Sequence, residues 1–288
     1  MRLPKGGVNV RAGIAGWAAY VPYWRIGREE YRKAWGTAAG GLVEKTVADV
    51  DEDALTMAVE AGRRVLGDID PGRVSVLACA STTFPYAEKA SAPAIAAALG
   101  VPCDGAVIEA AGSAACGAQV LAAALESVAG DRMGLLVVAD NPAARPGDEM
   151  EHALGAGSAA LLLTGGEAAV AVGGWTVRVR ETLGSRFRPA GEPFLRDAGL
   201  KTLSFDAAAA VVVPAVKELW ERLGTGPSAY RHAVFTQPGA RQVEDLGRWL
   251  GLGREQLAAG LVFGRTGDTG AASAFLGLCA VLDTAGAG

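Results

Sequence analysis

The chain lacks the residues that several kinds of site require. Among its 288 residues it has only two histidines, His152 and His232, which argues against a histidine-rich metal site. Its cysteines form no Cys-x-x-Cys pair and show no zinc-ligand spacing. Because isolated cysteines in apolar surroundings are typical of reduced thiols, we expect a cytoplasmic protein. The cysteines are Cys79, Cys103, Cys116 and Cys279.

Positive charge and long apolar runs are also scarce. Lys and Arg number 27 against 31 Asp and Glu, for a net charge of −4, and no basic stripe of the nucleic-acid-binding kind is present. Apolar runs such as 207–213 are much shorter than the roughly 20 residues that span a bilayer. The basic residues at 1–5 precede no uninterrupted apolar segment, as a secretory signal would. The sequence predicts neither a nucleic-acid partner nor a membrane span.

The pattern of apolar residues predicts an α/β fold. Half of the residues are apolar and a fifth are charged, which supplies a sizeable core. Short apolar runs alternate with segments of helical length and period, as in folds with largely parallel strands. The predicted strands are 12–20, 74–79, 105–109, 134–139, 158–163 and 168–172. The predicted helices are 51–66, which has an acidic start, 89–99, 113–129 and 206–223.

The strand–helix pattern then runs a second time. Gly165 and Gly166 interrupt the chain near its middle and divide it into halves 1–165 and 166–288. The two halves share no sequence identity, so the predicted repeat is structural, and we expect one compact body. The second half is predicted to contain a strand at 232–235, a helix at 241–250, a strand at 260–263 and a glycine-rich helix start at 267–270.

Two glycine-rich turns, 110–113 and 264–273, lead into predicted helices. Such turns direct backbone N–H groups and the positive end of a helix dipole at whatever lies there. A cysteine at this place would have a lowered pKa and act as a nucleophile. Glycine at a turn also serves tight packing, so the turns alone do not identify a function.

Nine motifs are distributed over nearly the whole chain. They are GIAGWAAYVPYWRI at 13–26, EKTV at 44–47, DEDALTMA at 51–58, STTFPYAEK at 81–89, PGD at 146–148, GAGSAA at 155–160, FRPAGE at 187–192, FTQP at 235–238 and GDTGAAS at 267–273. In this order they resemble archaeal-type hydroxymethylglutaryl-CoA synthases, which belong to the thiolase superfamily, as does ketoacyl-ACP synthase III.

The resemblance implies a five-layered α-β-α-β-α fold of two similar halves, in a dimer or larger assembly. It also implies an active site between the halves. There a cysteine carries the acyl group, a histidine and an asparagine polarise the thioester, and a glutamate acts as acid or base. Relatives continue into a final strand and a glycine-rich loop, so we expect a C-terminal half that lacks its last strands.

All four positions that carry this chemistry in the family are changed. Gly112 stands where the family has its cysteine, Thr236 in place of the histidine, Asp268 of the asparagine and Thr82 of the glutamate. Glycine cannot be acylated, threonine is no base at neutral pH, and aspartate repels an oxyanion. The sequence therefore predicts a non-catalytic subunit of a heteromeric acyltransferase or condensing complex that acts on CoA thioesters.

A cysteine-to-glycine change at this place also occurs in the accessory thiolase-fold subunit of phloroglucinol C-acetyltransferase complexes. The resemblance to that subunit implies two partners. One is a thiolase-fold subunit that supplies the catalytic cysteine, and the other is a small zinc-ribbon/OB-fold protein that bridges the two. A CoA thioester is then handled without covalent attachment to this chain.

Two alternative functions stay open. An active condensing enzyme or acyltransferase could use Cys116, four residues after Gly112. However, Cys116 is predicted to lie one helical turn beyond Gly112, further from the helix N-terminus that would lower its pKa. An inert, packed thiol is therefore the favoured interpretation. The other alternative is a scaffold that binds CoA thioesters without turning them over. Arg186 and Arg188, together with Arg196 and the pair at 88–89, are candidates for contact with a CoA phosphate or a partner.

The remaining polar candidates have structural interpretations. Asp268, near a helix start, is more typical of a cap than of a general base. His232 precedes an apolar strand, so we expect a structural hydrogen bond. For His152 we expect a surface or interface role. Cys79, Cys103 and Cys279 are predicted as small core residues.

Overall fold

A computed structural model describes residues 12–102, 104–128, 130, 132–180, 186–197 and 201–285, with the side chains of 201–208 left out. Cys103 and the basic start at 1–5 lie outside the described residues.

A six-stranded mixed sheet forms the centre of the fold, in the order β5-β4-β6-β7-β1-β8. Strand β4 is parallel to β5 and β6, whereas the other three pairings are antiparallel. The prediction of a largely parallel sheet is therefore wrong, because a buried strand has the same continuous apolar sequence in either direction. The strands are β1 (Gly13–Tyr20), β4 (Val74–Ala80), β5 (Ala106–Ala110), β6 (Met133–Asp140), β7 (Gly157–Thr164) and β8 (Val170–Ala171).

Two small sheets lie outside the central one. β2 (Trp24–Gly27) pairs antiparallel with β3 (Glu44–Val47), and neither was predicted. β9 (Arg186–Phe187) pairs antiparallel with β10 (Arg196–Asp197). The described helices are α1 (Arg28–Trp35), α2 (Ala54–Leu66), α3 (Ala92–Leu99), α4 (Cys116–Ser127), α5 (Glu149–Ala153), α6 (Lys201–Leu223), α7 (Ala240–Leu250), α8 (Arg254–Ala258), α9 (Phe263–Thr266) and α10 (Ser273–Ala285).

Helices cover both faces of the central sheet. On one face, α2 and α3 pack through Met57 and Ile95 onto Leu135 and Leu162 of the sheet. On the other face, α4 and α10 pack their apolar side chains onto the sheet residues of the opposite pleat. None of the described helices is both long and apolar enough to cross a bilayer.

The second half of the described chain differs from its prediction. The segments 232–235 and 260–263 do not form strands. The N–H of Ala233 donates to the carbonyl of Gln256 at 2.8 Å, and Phe263 begins α9. Among the described residues of this half, no neighbouring strand offers either segment a ladder of hydrogen bonds, and short apolar runs without one do not form sheet.

The start of α2 agrees with the acidic start predicted for it. Asp53 is the N-cap residue, and its carboxylate accepts the N–H of Thr56 at 2.8 Å. The Thr56 hydroxyl accepts the N–H of Asp53 at 2.8 Å, which completes a capping box. The box aims the buried face of α2, with Met57 and Ala61, at the sheet.

We expect Asp53→Ala to lower the free energy of unfolding by about 0.5–2 kcal/mol, because the backbone N–H of Thr56 loses its capping acceptor. Urea denaturation followed by circular dichroism measures the change. Asp53→Ser retains a capping oxygen and should recover most of the loss. Equal losses in the two variants would contradict a capping role.

Candidate functional site

Three neighbouring strands end at one edge of the central sheet. β5, β4 and β6 are adjacent in that order and parallel, so their carboxyl ends meet. Thr82 follows β4, Gly112 follows β5, and Asp140 is the last residue of β6. Because ligands of α/β proteins bind outside the carboxyl ends of parallel strands, this edge is the candidate site.

Asp140 is the polar centre of this edge. Its buried carboxylate accepts hydrogen bonds from the hydroxyls of Ser81, Thr82 and Thr83, each at 2.9 Å. The backbone N–H groups of Thr82 and Ala271 donate to it at 2.7 Å. One carboxylate thus joins the loop after β4 to the turn that begins α10.

Burial raises the pKa of Asp140, and the donors around the carboxylate oppose that shift. These donors replace the water that a carboxylate loses on burial, which would otherwise cost several kcal/mol. The neighbouring turn is shaped to fit the carboxylate: Gly270 has φ +56°, and a Cβ there would collide with the Asp140 carboxylate.

Asp268 lies in the same turn and is only 3% exposed. Its Oδ1 accepts the N–H of Gly270 at 2.9 Å, the type of bond expected of an aspartate at a helix start. Its Oδ2 pairs with the guanidinium of Arg186. The backbone N–H of Asp268 donates to the carbonyl of Ala153 at 2.7 Å. Both carboxylate oxygens of Asp268 therefore have partners, and one of these partners is the positively charged guanidinium of Arg186.

Arg188 contacts the loop that follows β4. Its Nη2 donates to the carbonyl of Thr82 at 2.8 Å. Thr82 itself is held from the other side by Asp140. The two arginines predicted to contact CoA are thus brought to the same edge as Thr82 and Asp268, and both already have partners within the chain.

Thr236 is exposed, in a loop that its buried neighbour Gln237 fixes. The Gln237 Oε1 accepts the N–H groups of Val262 at 2.9 Å and of Phe263 at 3.0 Å. The Gln237 N–H donates to the hydroxyl of Ser273, the first residue of α10, at 3.1 Å. These bonds place Thr236 beside the start of α10, with a hydroxyl where the family has an imidazole.

Gly112 lies in the turn between β5 and α4. Its φ of +87° is in the left-handed region that favours glycine. The residue is exposed, and a Cβ there would meet no atom within 4 Å. The turn therefore has room for a side chain, although a non-glycine backbone would be strained.

The helix after Gly112 begins at Cys116, not at Ser113 as predicted. The hydroxyl of Ser113 accepts the N–H of Ala115 at 3.2 Å, and its carbonyl accepts the N–H of Cys116 at 2.9 Å. A serine hydroxyl that bonds nearby backbone in this way favours a turn over a helix. Cys116 is therefore the first helical residue, and the prediction that it lies one turn deeper is wrong.

The Cys116 thiol is nevertheless poorly suited to nucleophilic chemistry. Its side chain is fully buried, and this burial raises its pKa to about 11, with a further contribution from the Asp140 carboxylate. Hydrogen bonding from the backbone N–H groups of Gly117 and Cys116 opposes the shift but does not reverse it. The thiolate that would attack a thioester is scarce at neutral pH.

The two histidines differ from what the sequence predicted. His152 is fully buried, with its ring centroid 4.4 Å from that of Tyr31, so the expected surface or interface role is wrong. Neither ring nitrogen of His152 has a hydrogen-bond partner. His232 is half-buried and its Nδ1 has no partner, so the expected structural hydrogen bond is absent at that atom. Cys79 and Cys279 lie in the core as predicted.

Sequence reasoning missed Asp140 and Gln237, the two polar side chains that organise this edge. A signal existed for each. Asp140 ends an apolar run of strand length and precedes Asn141 and Pro142, so it is an acidic group at the end of a buried strand. Gln237 directly follows Thr236 within the FTQP motif at 235–238. No group of three or more His, Cys, Asp or Glu side chains in the described ranges could hold a metal ion.

The fold is that of thiolase-like proteins. A crystal structure of an HMG-CoA synthase complexed with CoA matches the chain with a TM-score of 0.83 and 16% identity, over 96% of this chain and 76% of that one. A 3-oxoacyl-(acyl carrier protein) synthase III from Pseudomonas aeruginosa PAO1 matches with a TM-score of 0.82 and 21% identity, over 96% and 90%. The predicted α/β, thiolase-like fold class is confirmed, with one large sheet among the described residues.

Sequence identity to known proteins identifies the family within this fold. It is 33% identical over 279 residues to a hydroxymethylglutaryl-CoA synthase of Pyrococcus furiosus, covering 95% of this chain and 79% of that protein. No protein-family model matches. The chain belongs to the hydroxymethylglutaryl-CoA synthase family of thiolase-fold proteins. Its likeness to the phloroglucinol acetyltransferase subunit stays a prediction.

We expect Asp140→Ala to lower the free energy of unfolding by about 2–4 kcal/mol, since each buried donor left without a partner costs about 1–3 kcal/mol. Urea denaturation measures the loss. Asp68→Ala removes an exposed carboxylate that has no hydrogen-bond or ion-pair partner among the described residues, and it should leave the midpoint nearly unchanged. A midpoint for Asp140→Ala close to that of the wild type would contradict the role assigned to this carboxylate.

We expect Cys116 to resist alkylation in the folded protein, because its thiol is buried and its pKa is raised to about 11. Iodoacetamide labelling between pH 7 and pH 9, read by peptide mass spectrometry, measures this. The same protein in guanidinium chloride serves as the control and should be labelled fully at Cys116. Rapid labelling at pH 7 in the folded state would indicate an activated thiol instead.

Proposed function

We propose that this chain is a non-catalytic thiolase-fold subunit of a heteromeric complex that acts on acyl-CoA-type thioesters. The observation that carries the proposal is the state of the four family positions. Gly112 has no side chain to acylate, and Thr236 carries a hydroxyl. Thr82 is bound to Asp140, and Asp268 is bound to Arg186. The framework is intact, but no nucleophile or base stands at these positions.

In this proposal the chemistry belongs to a partner. A cysteine-bearing thiolase-fold subunit forms the acyl-enzyme, and a small zinc-ribbon/OB-fold protein bridges the two chains. This chain contributes assembly surface and a place for the thioester at its sheet edge. The structure matched above contains CoA, which supports a CoA thioester as the ligand. Arg186 and Arg188 are the cationic groups at that edge.

A second candidate is an active enzyme similar to the hydroxymethylglutaryl-CoA synthases. Its support is the 33% identity to the Pyrococcus furiosus synthase over 95% of the chain. Such an enzyme needs Cys116 as a relocated nucleophile or a reaction without a covalent intermediate. The raised pKa and burial of Cys116 favour the non-catalytic function.

A third candidate is a scaffold that holds CoA thioesters without turning them over. It shares the sheet edge and its arginines with the first proposal but needs no catalytic partner. Thermal stabilisation of the isolated chain by CoA would support it, because a ligand that binds only the folded state raises the melting temperature. Absence of any shift at millimolar CoA would count against it.

We expect no covalent acyl adduct when the purified chain is incubated with acetyl-CoA. Intact-mass spectrometry of the wild type and of Cys116→Ala gives the result. Unmodified mass in both proteins agrees with a non-catalytic subunit. An acetyl adduct on the wild type that is absent from Cys116→Ala would overturn the proposal in favour of the active enzyme.

The complex can be identified by native mass spectrometry after purification from the natural host. We expect a cysteine-bearing thiolase-fold chain to be present with this chain in defined stoichiometry. A homo-oligomer without such a partner, combined with acyl transfer by the purified chain, would overturn the assignment of the chemistry to another subunit.

A further inference from the structure

A short hairpin lies against the candidate site. We call residues 186–197 the strap; its ends are β9 and β10, which pair antiparallel. Within it, Arg196 pairs with the side chain of Glu192, and Nη1 of Arg188 donates to the carbonyl of Glu192 at 3.1 Å. The strap is therefore a unit closed by its own polar contacts.

Three contacts connect the strap to three separate loops of the site. The loops are those after β4 and β6 and the turn before α10, so the strap bridges the carboxyl edge of the parallel strands. The contacts are Arg186 with the carboxylate of Asp268, Nη2 of Arg188 with the carbonyl of Thr82 at 2.8 Å, and the N–H of Leu195 with the carbonyl of Ala143 at 2.8 Å.

Apolar packing holds the strap only in part. None of its residues is fully buried: Phe187 is 48% exposed, and Phe194 and Leu195 are half-buried. By comparison, every residue of the central strands β6 and β7 is buried. The bonds that fix the strap to the loops of the site are polar, two of them from arginines, and the Arg186–Asp268 contact is an ion pair. Its guanidinium is 28% exposed while Asp268 is buried, so salt screens this pair from the side of Arg186, less than it would a surface pair.

We propose that the strap is a charge-latched cover over the part of the site that holds Thr82 and Asp268, which opens to admit a thioester. The latch is the ion pair between Arg186 and Asp268, supported by the bond from Arg188 to Thr82. The identity of the ligand rests on the proposed function, whereas the latch does not. Guanidinium groups bind phosphate well, so a phosphate-bearing thioester competes with Asp268 for Arg186 and releases the strap.

Hydrogen–deuterium exchange on the full chain tests the latch. Asp268→Asn is the chosen variant, because Arg186→Gln would leave Asp268 buried without a partner and could prevent folding. We expect the amide of Leu195 to exchange about tenfold faster in Asp268→Asn than in the wild type. We also expect wild-type exchange in the strap to accelerate between about 20 mM and about 1 M NaCl.

Arg196→Gln is the matched control. It also breaks one ion pair of the strap, but Arg196 pairs with Glu192 inside the strap and not with the site. Exchange at Leu195 close to the wild-type rate in this variant supports the latch. An equal acceleration in Arg196→Gln and Asp268→Asn would overturn it, as would exchange that neither Asp268→Asn nor salt alters.

Adding millimolar CoA distinguishes a failure of the latch from a failure of the proposed function. Calorimetry reports whether CoA binds, and exchange reports whether the strap responds. Binding with altered exchange in the strap supports the cover, and binding without any change there overturns it. If CoA does not bind while salt and Asp268→Asn still free the strap, the latch is supported and the proposed handling of CoA fails.

Discussion

The arrangement of the site depends on one buried carboxylate. Asp140 stands at the end of a fully buried strand, where an ionised group is tolerated only if donors replace its lost water. Hydroxyls and N–H groups of 81–83 supply several of those donors, and the N–H of Ala271 supplies another. The loop after β4 and the start of α10 are far apart in sequence. They are brought together because this carboxylate requires both.

The changed family positions are not simply vacant. Thr82 donates to Asp140, and Asp268 is paired with Arg186 while it holds the turn before α10. Gly112 adopts a left-handed backbone that suits glycine. The side chains of Thr82 and Asp268 thus serve the framework of this edge through their partners.

Much of the fold could be predicted from the sequence. The apolar strands of the first half and the capped start of α2 follow from local pattern, because period and capping chemistry are properties of short segments. The direction of β7 against β6 could not be predicted, since a buried strand has the same composition in either orientation. The segments 232–235 and 260–263 failed as strands because a strand needs a neighbour, which a short apolar run cannot supply.

Motifs and residue types are readable without coordinates, so the family and the fold class follow from the sequence, which also predicts that the family's reactive groups are replaced. The surroundings of the remaining thiol and polar groups follow only from the packed fold. Burial and the Asp140 carboxylate raise the pKa of Cys116, and the partner of the Asp268 carboxylate is Arg186, 82 residues away in the chain. Electrostatic environment is set by neighbours in space, and those neighbours are chosen by packing rather than by local sequence.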